Sequence, residues 1–224
     1  MKEQTRREIR RKSIHMIPGV LGPVVVLLPA YLFGEIIGRI SGIVISSFFL
    51  TIYILNQLHL SGKIKREIPI ATKTFRRMAR DIELRNQSFM GPIYFWAITT
   101  LLLVFFNLEV AIAGVWISSI GDAAAAIFGS EFGETKIPYN KRKSIVGSTA
   151  FFISAFMGTF LILSMNPPIY FDVLTLAFSA SLLGAVLESL PGNYLIDEIT
   201  VPLIPPIVIQ ILGGYQFPFY VLFM

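Results

Sequence analysis

The side chains of this chain best equipped for chemistry gather in one stretch, Ser118 to Ser148, which reads SSIGDAAAAIFGSEFGETKIPYNKRKSIVGS. Asp122 sits inside an apolar run, about two helical turns from its end. An ionised carboxylate at such depth costs about 3 kcal/mol unless it meets a polar cavity or a cation, so it needs a reason to be there. At helical spacing Ser118, Asp122, Ala125, Ala126 and Gly129 share one face of small residues, which admits a close neighbour. A similar face recurs at Ser181, Gly184, Ala185 and Glu188, and the connector from Pro191 to Glu198 adds Asp197 and Glu198.

Carboxylates at Asp122, Glu188 and Asp197, carried by different helices near one opening, have the hard oxygen character that Mg²⁺ prefers, with waters and phosphate completing its shell. A phosphate partner is close at hand. Lys141, Arg142 and Lys143 precede Ser144, Gly147 and Ser148, where a new apolar span begins. A basic cluster, hydroxyls and the free N–H groups of a helix start make a polyphosphate cradle, and glycines at Gly129 and Gly133 let backbone approach a ligand.

Each feature also has a plainer reading. Lys141 to Lys143 alone would anchor a span, Ser144 alone would be an N-cap, and Asp122 alone could be the structural partner of a cation. His15 marks the interface end of the first span, and His59 has no partner to suggest a role. With no cysteine, thiolate nucleophiles, disulfides and Cys-ligated metals are excluded. Walker A, GxGxxG and GxSxG patterns are absent, which disfavours the common soluble nucleotide-binding and hydrolase scaffolds.

The elements that must position these residues are membrane helices. In 224 residues, 54% are hydrophobic and 15% charged, with a mean hydropathy of +0.68, more apolar surface than one soluble core can hide. Apolar windows of spanning length lie at Ile17 to Phe33, Ile36 to Leu58, Phe89 to Phe106, Leu108 to Phe128, Ile145 to Met165, Ile169 to Leu190 and Ile199 to Met224. The last carries Pro202, Pro205, Pro206, Gly213, Gly214 and Pro218, so it is either one kinked span or two half-helices. The expectation is an all-α bundle of about seven spans forming one domain over residues 1–224.

Of the 19 lysines and arginines, all but Arg39 fall in the N-terminal segment, the connector from His59 to Ser88 or the connector after Phe128. Seven spans put these on one side, which the positive-inside rule makes cytoplasmic, with the N-terminus there. The pI near 9.5 is thus an orientation signal and no indication of nucleic-acid binding. In the long connector, Phe75, Met78 and Ile82 recur on one face opposite Arg76, Arg77 and Arg80, which predicts a basic amphipathic helix starting near Thr72. It could anchor to anionic headgroups or gate sideways entry of a lipid.

Taken together, RRKSIH, GDAAAAIFGSEFGE followed by KRKSIVGSTAFF, and ESLPGNYLIDEITVPL resemble the membrane-embedded polyprenol kinases. That group contains dolichol kinase, phytol kinase and CTP-dependent diacylglycerol kinase, with phosphatidate cytidylyltransferases as more distant relations. The likeness runs from Arg11 to about Leu203, and is strongest at Asp122, Gly129, Gly133, Lys143, Ser144, Gly147, Ser148, Glu188, Asp197 and Pro202. Val146 departs from a position often acidic in the family, and Glu198 from one often Asp or Asn.

The resemblance implies transfer of a γ-phosphoryl group, commonly from CTP with Mg²⁺, to the hydroxyl of a lipid alcohol. Lys141, Arg142, Lys143, Ser144 and Ser148 would hold phosphates, while Asp122, Glu188 and Asp197 would share the metal and base roles, with Asp197 the first choice of base. The expected home is a prokaryotic cell membrane with the site on its cytoplasmic face. A cytidylyltransferase would use the same surface but attack the α-phosphorus, whereas a transporter is disfavoured because ionisable residues do not mark a through-path.

Overall fold

The structure is a computed structural model that describes residues 3–192 and 194–218. Asn193 and the end of the expected last span, residues 219–224, lie outside the described residues.

Helix follows the apolar windows. The main helices are α1 (Glu8–Phe33), α2 (Glu35–Leu60), α5 (Met90–Phe105), α6 (Leu108–Phe132), α7 (Ile145–Leu163), α8 (Val173–Ser189) and α9 (Tyr194–Leu212). The connector after α2 carries the short helices α3 (Pro69–Met78) and α4 (Asp81–Asn86). Between α6 and α7 a small antiparallel hairpin pairs β1 (Lys136–Ile137) with β2 (Asn140–Ser144). Helices α1, α2, α6 and α7 are long and apolar enough to cross a membrane, while α5 and α8 are shorter apolar helices. The chain is an all-α membrane helix bundle with a belt of exposed apolar side chains such as Leu28, Ile36, Val44 and Leu161.

Helix α6 is the axis of the bundle. In its most apolar window 72% of residues are buried, against 17% in α1, so α6 is surrounded by protein while α1 is peripheral. Small residues let its neighbours close in: Ala111, Ala113 and Ala123 are fully buried, and Phe151 of α7 lies against Gly121 and Gly184. Both α1 and α6 contain one π-helical turn, Pro23–Leu27 and Ile117–Gly121. In α1 the wide turn falls at Pro23, where the ring cannot donate to the normal ladder. The turn in α6 ends at Gly121, immediately before Asp122.

Several boundaries differ from the sequence reading. The amphipathic segment is two helices, because the chain turns extended at Ala79 and Arg80; Phe75 is buried against Phe89, while Ile82 belongs to α4 and is exposed. Gly129 lies within α6, past the end of the apolar window at Phe128. The described part of the last span is one helix that runs through Pro202, Pro205 and Pro206 and ends at Leu212. It starts at Tyr194 and places Asp197 in its first turn instead of in a connector.

At the end opposite the basic connectors, Arg39 of α2 is buried and has a structural task. It pairs with Glu35 at 2.6 Å and donates to the Leu103 and Phe106 carbonyls at the end of α5, which have no helical partner of their own.

Candidate active site

The helical start of α1 brings two unexpected residues to Asp122. Lys12 and His15 lie three positions apart on one face. Lys12 is only 5% exposed and its ammonium pairs with the Asp122 carboxylate, while His15 Nε2 stands 3.5 Å from Asp122 Oδ2 and 3.4 Å from the Ser118 carbonyl. A buried ammonium without a carboxylate would be costly, so the pair fixes α1 to α6. Sequence alone assigns neither residue to the site; the signal it offers is their shared face in RRKSIH.

A second cluster forms where β2 meets α8 and α9. Lys143 pairs with Glu188 and lies 3.8 Å from Asp197 Oδ2. Burial disfavours the Lys143 ammonium, but Glu188 first, then Asp122 and Asp197, outweigh it and raise its pKa above the ordinary lysine value. Glu188 is 4% exposed, and its second oxygen, Oε2, has no hydrogen-bond partner among the described residues. The hairpin that carries Lys143 is pinned to the end of α8: Asn140 Nδ2 donates to the Ser189 and Leu190 carbonyls, and Tyr139 bonds the Ser189 hydroxyl at 2.8 Å.

Ser144 is the N-cap of α7, where its hydroxyl accepts from Gly147 N–H at 3.1 Å. Ser148, one turn on, has an Oγ without a partner among the described residues. The glycines allow close packing, and Gly129 and Gly147 also line the central cavity. A Cβ on Gly133 would stand 2.2 Å from the Gly129 carbonyl and 2.3 Å from Ser144 Oγ, and one on Gly147 would stand 2.9 Å from the Ala125 carbonyl. A Cβ on Gly129 would meet Ser144 Oγ at 3.0 Å. These three therefore let α6 close on the hairpin and the start of α7. Of the basic triplet, Arg142 and Lys143 line the central cavity, whereas Lys141 is exposed and does not.

The two clusters share a polar cavity of about 820 Å³. Arg11, Lys12, Lys136, Arg142 and Lys143 line it together with Asp122, Glu188 and Asp197, and Gly147 and Ser148 at the start of α7 form part of its wall. Beside it an apolar cavity of about 360 Å³ lies among α1, α2, α3 and α5. The two meet at a small polar junction of about 50 Å³, where His15 and Glu198 touch the apolar side and Lys143, Glu188 and Asp197 the polar side. Arg80 borders all three. Glu198 and Arg80 are further site residues that the sequence left unassigned.

Among the described residues no group of three His, Asp or Glu side chains is close enough to form a metal cage. The donors do suit a cation that arrives with its own phosphate and water ligands, as Mg²⁺ does. Glu188 Oε2 is buried beside the cavity and has no hydrogen-bond partner among the described residues, which fits such a cation.

The arrangement defines a membrane helix bundle with a polar, charge-lined cavity joined to an apolar one. Comparison with known proteins finds similarity to plant phytol kinases. The chain is 32% identical over 139 residues to the probable phytol kinase, chloroplastic, of Triticum aestivum, covering 58% of this chain and 46% of that protein. Against the probable phytol kinase 1, chloroplastic, of Oryza sativa subsp. japonica it is 34% identical over 135 residues, covering 56% and 43%. Against phytol kinase 1, chloroplastic, of Arabidopsis thaliana it is 28% identical over 222 residues, covering 94% and 68%. The chain thus spans less than half the length of the wheat and rice relatives. Those names place the relatives in chloroplasts and lend no support to a prokaryotic cell membrane. No family model matches the chain, and no solved structure matches it.

Proposed function

We propose that the protein is a membrane lipid-alcohol kinase, which transfers the γ-phosphoryl group of a nucleoside triphosphate, with CTP the first choice, to the hydroxyl of a prenyl or polyprenyl alcohol. The observation that carries this reading is the junction. A basic cavity of nucleotide size opens through a carboxylate and lysine cluster into an apolar cavity, so a water-soluble polyphosphate and a membrane alcohol can meet there. The similarity to plant phytol kinases supports the same acceptor chemistry.

Phosphoryl transfer asks a protein chiefly to position reactants and neutralise charge. Arg142, Lys143, the Ser148 hydroxyl and the N–H groups at the start of α7 bind the triphosphate from one wall of the cavity. Lys12, held by Asp122, also lines the cavity and adds positive charge there. A Mg²⁺ ion, held by Glu188 with Asp122 or Asp197, would supply further neutralisation of the phosphate oxygens. The alcohol oxygen attacks the γ-phosphorus, the bond to the β–γ bridging oxygen breaks, the nucleoside diphosphate leaves, and Asp197 accepts the hydroxyl proton. His15 and Glu198 border the point where that hydroxyl emerges from the apolar side. The basic end of the bundle would face the cytoplasm.

The test is a matrix of γ-labelled nucleotides against lipid alcohols with protein reconstituted in bilayers. Label should pass to a lipid alcohol, most efficiently from CTP. Failure of every nucleotide to label any alcohol would end the proposal.

A further inference from the structure

The first two spanning helices do not lie together along their whole length. Their principal contacts are at the outer end, where Gly38 and Gly42 of α2 bring it against α1. A Cβ on Gly38 would stand 2.5 Å from Val26 O, one on Gly42 would stand 2.9 Å from Val26 Cγ2, and Ser41 Oγ donates to the Val25 carbonyl at 2.8 Å. Towards the basic end α1 instead packs on α6 and α3, while α2 packs on α5. The helices diverge into a slot. The apolar cavity fills it, with Phe95 and Leu103 of α5 as its back wall.

The lips of this slot are apolar and exposed. Ile17 and Leu21 on α1 are each 50% exposed, and Ile45 on α2 is 37% exposed, although all three line the cavity. At the basic end α3 bridges the gap, packing on both α1 and α2 and turning Ile70 and Met78 into the cavity. Along α2 the cavity runs from Tyr53 to Gly42, about 16 Å of helix. Its inner end is the polar junction with His15 and Glu198, while Gly42, Val26 and Leu103 close its outer end.

We propose that the slot between α1 and α2 is the side entrance and seat of the acceptor lipid. The alcohol slides in from the bilayer, its tail lying along α2 with the tip towards Gly42 and its hydroxyl at the junction. The inference rests on the reading of the chain as a lipid-alcohol kinase. The occupant follows from continuity: a groove lined mostly by apolar side chains, whose mid-length hydroxyls on Ser46 and Thr99 donate to their own helices, open to lipid at one side and charged only at its inner end, matches a molecule with an apolar tail and a single polar head. Lysines and arginines are absent from the lips between Ile17 and Leu21 and between Gly42 and Phe49, so a charged headgroup gains nothing by lodging there.

The decisive experiment uses a prenyl alcohol of phytol length with a photoreactive diazirine at its tail tip, incorporated in nanodiscs with the full chain. Adducts should concentrate at Val26, Gly42 and Leu103, and excess unlabelled phytol should remove them. Adducts spread over the outer belt, at Leu161 and Leu174 as much as in the slot, would overturn the proposal. A second arm exploits the absence of native cysteine. Leu21→Cys with Ile45→Cys, bridged by a bifunctional maleimide, should lower phosphorylation of a bilayer-embedded alcohol by about tenfold or more. Phosphorylation of a short water-soluble prenyl alcohol, which can reach the junction through the polar cavity, should be unaffected. Undiminished phosphorylation of the embedded alcohol by the bridged protein would contradict lateral entry. Slot labelling without phosphorylation of either alcohol would uphold the seat and refute the kinase reading, so the two failures are distinct.

Discussion

Lys12 at the start of α1 and Asp122 in the middle of the chain, 110 positions apart, form an ion pair with the lysine almost wholly buried. The pair is both a bolt between a peripheral helix and the central one and a wall of the polar cavity. Structure and chemistry therefore pull on the same carboxylate. Asp122→Asn leaves a buried ammonium without a counter-charge, which should destabilise the protein by about 3 kcal/mol, the lower end for broken buried pairs because Asp122 is partly exposed. Adding Lys12→Met should recover much of the thermal stability. Phosphoryl transfer should stay depressed by orders of magnitude in the double variant, and recovery of activity along with stability would make Asp122 purely structural.

The basic triplet can be divided by experiment. Lys143 lines the cavity between Glu188 and Asp197, while Lys141 is exposed outside it. Lys143→Ala should cost about 1.5 to 3 kcal/mol of transition-state stabilisation, roughly 10- to 150-fold in kcat/KM. Lys141→Ala and Lys63→Ala should change kcat/KM by less than about threefold, as expected of surface charges. Equal losses at all three would mean that the lysines act only as a diffuse positive field.

The close glycines give a stability test free of catalytic charge. In Gly133→Ala the new methyl group meets the Gly129 carbonyl and the Ser144 hydroxyl, so the N-cap of α7 must move. A loss of about 1 to 3 kcal/mol is expected, read as a lower unfolding temperature. An unchanged melting profile would show that the hairpin adjusts freely.

Much of this was legible in the sequence. Seven apolar windows and the one-sided lysines and arginines anticipated the helices and the basic end, because spanning length and charge are properties of local sequence. The recurrence of Ser181, Gly184, Ala185 and Glu188 at helical spacing also pointed to the buried face of α8. Pairing was harder to see. Lys12 was concealed within a run of basic residues that membrane orientation explained completely, and His15 has no nearby sequence partner. Their contacts with Asp122 exist only once α1 packs on α6. The glycines show a related limit: spacing shows where a backbone can come close, but only packing shows that Ser144 is the neighbour they admit. The Asn140 and Tyr139 latch to Ser189 likewise joins segments that no periodicity connects.

Sidedness can be measured on the cysteine-free chain. Single cysteines at Lys63 and Thr135, both exposed, should react with an impermeant maleimide from one face of the membrane, and one at Ser164 from the other. Reaction of Lys63→Cys and Thr135→Cys from opposite faces would contradict the common basic end. The cytoplasmic assignment requires the first two to react only after the cytoplasmic side is exposed.

The most direct test of the central claim is the fate of the phosphates during one reaction. Protein reconstituted with phytol and supplied with CTP labelled separately at the α- and γ-positions should yield a γ-labelled lipid monophosphate and an equal amount of α-labelled CDP. Release of pyrophosphate with α-label entering the lipid would contradict the kinase account, because attack would then have occurred at the other end of the triphosphate.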